Sequence, residues 1–197
     1  MGRRNDHSAD EFDQMVVRTV WHWLESRSAS ELSLRKIAGL IGYAPSTLVS
    51  VYGSYSLLLL RVNSFILDQL TLALKEQVQS DSPREQLLET ALAYLGFAKQ
   101  YPHAFRLVFE HKMPEGQKLP AFFNEKLAAM FDMVEGPLTV LHNHLTSQQL
   151  EMEARMLWAS VHGICNLDID DKLFWDGGGG EALICTLLGN LLDKESP

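Results

Sequence analysis

His162 and Cys165 stand three residues apart, so a helix would put an imidazole and a thiol on one face. No third group that would orient the base accompanies them, and nucleophilic catalysis is not expected. Asp168, Asp170, Asp171 and Asp176 could meet a hard cation, but their spacing is not that of an EF-hand loop and no Glu closes the twelfth position. A solvated acidic loop is the expectation. Gly177 to Gly180 follow no strand and precede no Lys-Ser or Lys-Thr, so they read as a flexible linker rather than a phosphate loop. Cys165 and Cys185 have no CxxC partner and are expected to be reduced, buried thiols, with no metal and no cofactor.

Hydrogen-bonding chemistry is denser between residues 33 and 58, SLRKIAGLIGYAPSTLVSVYGSYSLL. Ser33 is a helix N-cap type, and Leu34, Ile37, Ala38 and Ile41 recur at the spacing of one apolar helix face. Gly42 can take the left-handed conformation that ends this helix, Pro45 suits the first turn of the next, and Leu48 with Val49 or Tyr52 returns to the core. Helix, tight turn, helix is a helix-turn-helix, and it leaves the hydroxyls of Ser46, Thr47 and Ser50 near the start of the second helix.

With Leu34, Arg35, Ile37, Ala38, Gly42, Thr47, Leu48, Tyr52 and Ser54 at this spacing, the segment resembles the DNA-binding domain of TetR-family transcriptional regulators. The resemblance implies that the second helix enters the major groove, with Pro45, Ser46, Thr47 and Ser50 at the bases and Tyr43 in the turn. Ser33, Arg35, Lys36 and Tyr55 complete the expected DNA-binding set, Tyr55 through a hydroxyl donor and Arg35 or Lys36 as compensation for family phosphate contacts that this chain changes. Hydroxyls pair with any base and Pro45 can touch a thymine methyl, so readout would be permissive. The family pattern usually has Tyr, His and Lys where this chain has Val49, Val51 and Tyr55, which removes or changes two phosphate contacts. Arg3 and Arg4 can serve as a minor-groove arm or form a solvated tail.

The elements that must position these residues follow from the rest of the chain. Its 197 residues can bury a sizeable core, and 46% hydrophobic with 21% charged residues is ordinary folded composition. The net charge of −8 lies wholly beyond residue 56, because residues 1 to 56 carry six basic and six acidic side chains. A neutral head on an acidic body implies weak non-specific DNA affinity. Neither a signal peptide nor an uninterrupted apolar membrane span is read from the sequence, so a cytoplasmic protein with no membrane partner is expected. From Asp10, the residues Phe12, Met15, Val16, Thr19, Val20, Trp23 and Leu24 form the stripe of a first helix, and residues 26 to 32 a serine-rich loop. A long helix is expected over 55 to 79, then helices over 84 to 101, 103 to 112, 119 to 145, 148 to 168 and 181 to 193.

These patterns predict an all-α protein: an N-terminal three-helix helix-turn-helix domain, residues 1 to 56, followed by a helical bundle for ligand binding and dimerisation, residues 57 to 197. In the body, Tyr94, Phe97, Phe105, Phe109, Met113, Phe123 and Met130 can line an apolar pocket or simply fill a core. Trp158, His162 and Gly163 resemble the Trp-x-x-x-His-Gly signature of one subset of TetR-family ligand domains, which implies an effector contact from Trp158 and His162. Leu150, Ala154, Leu157, Val161 and Ile164, with Leu183, Ile184, Leu187, Leu188, Leu191 and Leu192, form stripes expected to pair two copies. The resemblance thus implies a homodimeric repressor of a palindromic double-stranded DNA site, released by a small hydrophobic effector. A dimeric protein-interaction or ligand-binding module that no longer binds DNA is the competing expectation.

Overall fold

A computed structural model describes residues 7–192 of the chain, and all its regular structure is helical. The α-helices are α1 (Ala9–Leu24), α2 (Leu34–Ile41), α3 (Pro45–Tyr52), α4 (Tyr55–Gln77), α5 (Pro83–Gln100), α6 (Pro102–Glu110), α7 (Ala121–Leu141), α8 (Ser147–Ile169) and α9 (Gly179–Leu192). The serine-rich loop before α2 contains a short 3-10 turn, Ala29–Glu31, capped by the Ser28 hydroxyl accepting from the Ser30 N–H at 3.2 Å.

Two compact units divide the chain, one of Met1–Leu67 with His103–Pro120, the other of Asp68–Pro102 with Ala121–Pro197. In the first, α1 packs on α2 and α2 on α3. α1 begins with a capping box in which the Ser8 hydroxyl accepts from the Glu11 N–H and the Glu11 carboxylate accepts from the Ser8 N–H. Its inner stripe, Val16, Val20 and Leu24, is fully buried, as are Ile37 and Ala38 of α2 and Leu48 of α3. Gly42 ends α2 at φ 75°, a conformation that any Cβ would strain, and Pro45 opens α3 at its first turn.

This first unit continues past residue 56, where the helix-turn-helix pattern stops, because polar side chains tie its elements to α4. Asp13 of α1 accepts a hydrogen bond from the Tyr52 hydroxyl of α3 at 2.9 Å and pairs with Arg61 of α4 at 2.6 Å. Burial, and then the Asp13 carboxylate, push the Tyr52 hydroxyl well above its ordinary pKa, so it stays a donor. Ser56 of α4 meets His111, just after α6, at 2.9 Å. α4 is long and apolar enough to cross a membrane by length and composition, but 56% of that stretch is buried inside the protein as a core helix.

In the second unit α5 packs against α7, α8 and α9, α7 against α8, and α8 against α9. Here the acidic and glycine-rich stretch departs from expectation. Asp168 is not solvated: its carboxylate pairs with Lys99 at 2.9 Å and accepts from the Gly180 N–H at 2.9 Å, at the start of α9. A helix start has free N–H groups and a positive end, and both favour a carboxylate there. Gly179 and Gly180 belong to α9 rather than to a linker, and a Cβ on Gly180 would stand 3.0 Å from the Asp168 carboxyl carbon.

Replacing Asp13 with Ala removes the partner of both Tyr52 and Arg61. Because the ion pair is partly exposed, the expected loss in urea unfolding is about 1–2 kcal/mol, chiefly from the stranded Tyr52 hydroxyl. An unchanged midpoint would show that the three helices are held by apolar packing alone.

Candidate functional site

Two cations, one of them on the first turn of α2, meet over an indole. Ser33 caps the helix by accepting from the Lys36 N–H at 3.2 Å, leaving Arg35 and Lys36 exposed on the first turn. Trp23 is buried and donates its indole N–H to the Ser28 carbonyl at 3.2 Å. Arg27 stands 4.5 Å and Lys36 4.7 Å from its ring centroid, each a cation–π distance. Beside them Ser33, Arg35, Lys36, Gly39 and Leu40 line a shallow concavity of about 400 Å³. Arg27 was not a sequence candidate; its position four residues after Trp23 on a turn leaving α1 was the only available signal.

On α3, Pro45, Ser46 and Ser50 are exposed and Thr47 half-exposed, while Leu48 faces inward. No side chain caps the N-terminus of α3, whereas the Ser54 hydroxyl accepts from the Leu57 N–H at 3.1 Å and so occupies one donor at the start of α4. Tyr43 sits in the turn with its hydroxyl 2.9 Å from His7 Nδ1 and its ring edge-on to Phe12. Tyr55 is half-buried, and burial raises its hydroxyl pKa. Arg3 and Arg4 lie outside the described residues.

The body candidates divide between the two units. In the second, Tyr94, Trp158 and His162 form one cluster. The Tyr94 hydroxyl meets His162 Nδ1 at 2.9 Å and is also hydrogen-bonded by Trp158, whose ring stacks on His162 with centroids 5.2 Å apart. The ladder continues through Phe131, edge-on to Trp158 at 5.7 Å, to Arg155, whose guanidinium lies 3.4 Å from the Phe131 centroid and pairs with Glu135 at 2.7 Å. Sequence reasoning missed Phe131 and Arg155, which enter through α7–α8 packing. Phe97 contacts Tyr101, Phe123 is buried and Met130 half-buried. Phe105, Phe109 and Met113 belong to the first unit, where Phe105 is buried with its ring 5.0 Å from Phe109, and Met113 Sδ is 3.9 Å from the Ser56 hydroxyl.

Burial pushes the His162 pKa below 6.5 and raises that of Tyr94, so both are neutral hydrogen-bonding groups near pH 7. Burial first, then Asp168, push the Cys165 thiol up to about 12, which leaves little thiolate for chemistry. Cys165 is buried as expected, but Cys185 is exposed because α9 turns Ile184 inward and the next residue outward.

The apolar stripes assigned to a partner copy are covered by the chain itself only in part, since Leu150, Ile164, Leu183, Leu187 and Leu191 are half-buried. Ala154, Leu157 and Val161 of α8 and Ile184, Leu188 and Leu192 of α9 are buried within the chain, forming its own core. The outward face of α8 is instead Met152, Met156, Ala159, Ser160, Gly163 and Leu167, with both methionines 58% exposed.

His162 should titrate in an NMR experiment with a midpoint below 6.5. Because its folded pKa is depressed, the unfolded chain binds the proton first, so its contribution to stability is whole above about pH 6.5 and is lost as pH falls through the lowered value. Replacing Tyr94 with Phe strands two hydrogen-bond partners and should cost about 1–3 kcal/mol in urea unfolding. A normal His162 midpoint would mean that the ring is solvated.

The profile of the family described as tetracyclin repressor-like, C-terminal domain, matches residues 87–188, just over half of the chain. No curated protein matches the sequence. Among solved structures, a protein of unknown function from Rhodococcus sp. RHA1 superposes with TM-score 0.78 at 19% identity over 100% of both chains. A TetR-like transcriptional regulator from the same organism gives 0.64 at 18% identity, over 99% of this chain and 100% of that one. BioQ, in a structure with its double-stranded DNA operator, gives 0.65 at 17% identity over 93% and 98%. At these identities the structures establish a shared fold, and the profile match assigns the lineage: the chain belongs to the TetR family of transcriptional regulators.

Proposed function

We propose that the protein is a DNA-binding transcriptional repressor in which the α2–α3 unit reads an operator and the body holds a small hydrophobic effector. The observation that carries the reading is the arrangement of the head. Exposed hydroxyls on Ser46 and Ser50 of α3 lie outside a buried Leu48, while Arg27 and Lys36 stand over the Trp23 ring and Arg35 is exposed on the first turn of α2. Cations at phosphates supply affinity and register, and hydroxyls in the groove supply base contacts. The operator-bound relative BioQ supports the same reading. A protein acting on chromosomal DNA in this way works in the cytoplasm.

The active form in this reading is a homodimer, formed through the outward face of α8, Met152, Met156, Ala159, Gly163 and Leu167, with the exposed side of α9. Small residues in the middle of that face permit close approach of a second helix, and exposed methionines supply adaptable apolar area. Two heads about 34–36 Å apart then meet successive major grooves of a palindrome. In the body, Tyr94, Trp158 and His162 supply polar atoms among aromatic rings, the chemistry of a site for an apolar molecule with one or two polar groups. Effector binding acts through differential affinity for two body conformations, transmitted by α4, whose first half belongs to the head unit and second half to the body.

Fluorescence anisotropy with the upstream region of the protein's own gene tests the proposal. The expected result is preference for that duplex over random DNA, with a steep salt dependence. Arg35→Ala or Arg27→Ala should reduce the salt slope by about one each. Equal affinity for both duplexes at low salt would contradict it. Met156→Glu should shift the sedimenting species toward monomer and weaken operator binding with it.

A further inference from the structure

The outward arc of α3 carries no ionisable side chain. Opposite the buried Leu48 lie Ser46, Thr47 and Ser50, and at 100° per residue Val49 and Val51 fall on the two edges of this hydroxyl strip. Both valines are exposed, 43% and 53%. The strip therefore has hydrogen-bonding groups at its centre and branched apolar groups on both flanks.

That composition limits what the helix can distinguish. Arg, Lys, Asn and Gln, the side chains that read a base through two hydrogen bonds, are absent from α3. A hydroxyl donates or accepts and so accepts any base edge. The apolar feature on the floor of the major groove is the 5-methyl group of thymine. The absence of acidic side chains on α3 also removes repulsion from phosphates, and Arg35 and Lys36 stand at the start of the helix that precedes it, with Arg27 beside Lys36 at the Trp23 ring. A nucleic-acid surface therefore suits this face better than an acidic or apolar protein surface does.

We propose that Val49 and Val51 are the specificity-determining residues of the head, each packing on thymine 5-methyl groups, so that the operator half-sites carry thymines on both sides of the hydroxyl contacts. The proposal rests on the DNA-binding reading above and adds the class of sequence recognised. It makes discrimination depend on methyl contact rather than on hydrogen bonding, and it gives a role to two exposed valines that packing of the head leaves unused.

Uracil pairs as thymine does and lacks only the methyl, which makes it the probe. Duplexes are selected from a random pool by binding to the full-length protein, then synthesised with either deoxythymidine or deoxyuridine, and titrated by anisotropy. Burial of one methyl is worth roughly a factor of three to four, so two contacts per half-site should make the uracil duplex at least about tenfold weaker. Val49→Ser and Val51→Ser should each bring the two affinities closer together, while Val49→Ile keeps them apart; thermal melts of the variants confirm that the head is folded. If wild type binds the thymine and uracil duplexes equally, the valines do not read methyl groups and the proposal fails although the head binds DNA. If selection enriches no duplex at all, the DNA-binding reading fails and takes this proposal with it, which makes a protein partner the next occupant to test for the valine face.

Discussion

The orientation of α3 depends on Asp13. One carboxylate on α1 receives the Tyr52 hydroxyl of α3 and the Arg61 guanidinium of α4, so three helices are tied at one polar point set beside a fully buried apolar stripe. Apolar packing holds helices together but is tolerant of small rotations; a hydrogen bond to a charged group at 2.9 Å is directional. With Leu48 inward and Tyr52 fixed, the hydroxyl strip has one way to face, and the proposed base readout needs that rigidity because such contacts are made or lost over fractions of an ångström.

In the function proposed above, the head divides affinity and discrimination between different helices. Cations on and before α2 supply the electrostatic part, and cation–π contact with Trp23 holds Arg27 and Lys36 near one place rather than leaving them to roam in solvent. A head with no net charge on a body carrying −8 gains little from non-specific attraction, so the proposed reading assigns preference for the right sequence to α3. In the body, the ladder from Tyr94 through His162, Trp158 and Phe131 to Arg155 links α5, α8 and α7 by rings and hydrogen bonds. Any molecule that displaced one member would disturb the packing of three helices at once.

What the sequence made legible was local. Ser33 capping, Gly42 at positive φ and Pro45 at a first turn each act within a few residues, so the helix-turn-helix could be placed from the sequence and most later helix ends to within about two residues, the end of α7 at Leu141 against an expected 145 being an exception. The Asp13 junction spans 39 residues to Tyr52, and the Lys99, Asp168 and Gly180 link joins three helices; no periodicity announces such contacts. The α8 and α9 stripes show a related limit: periodicity identifies an apolar face correctly but does not say whether the chain itself or a second copy covers it, and here the chain buries about half of it. Asp168 illustrates the same point for charge, since an acidic run suggests solvent until a helix start is seen to occupy one of its carboxylates.

In the proposed function the outward face of α3, supported by the start of α2, is the surface that meets DNA. Titration of isotope-labelled protein with the upstream duplex, followed by amide and indole NMR shifts, tests it most directly. The account predicts that the largest changes fall between Tyr43 and Val51, on Ser33, Arg35 and Lys36, and on the Trp23 indole N–H. Changes confined to α8 and α9, or saturable binding that leaves the α3 amides unmoved, would contradict it.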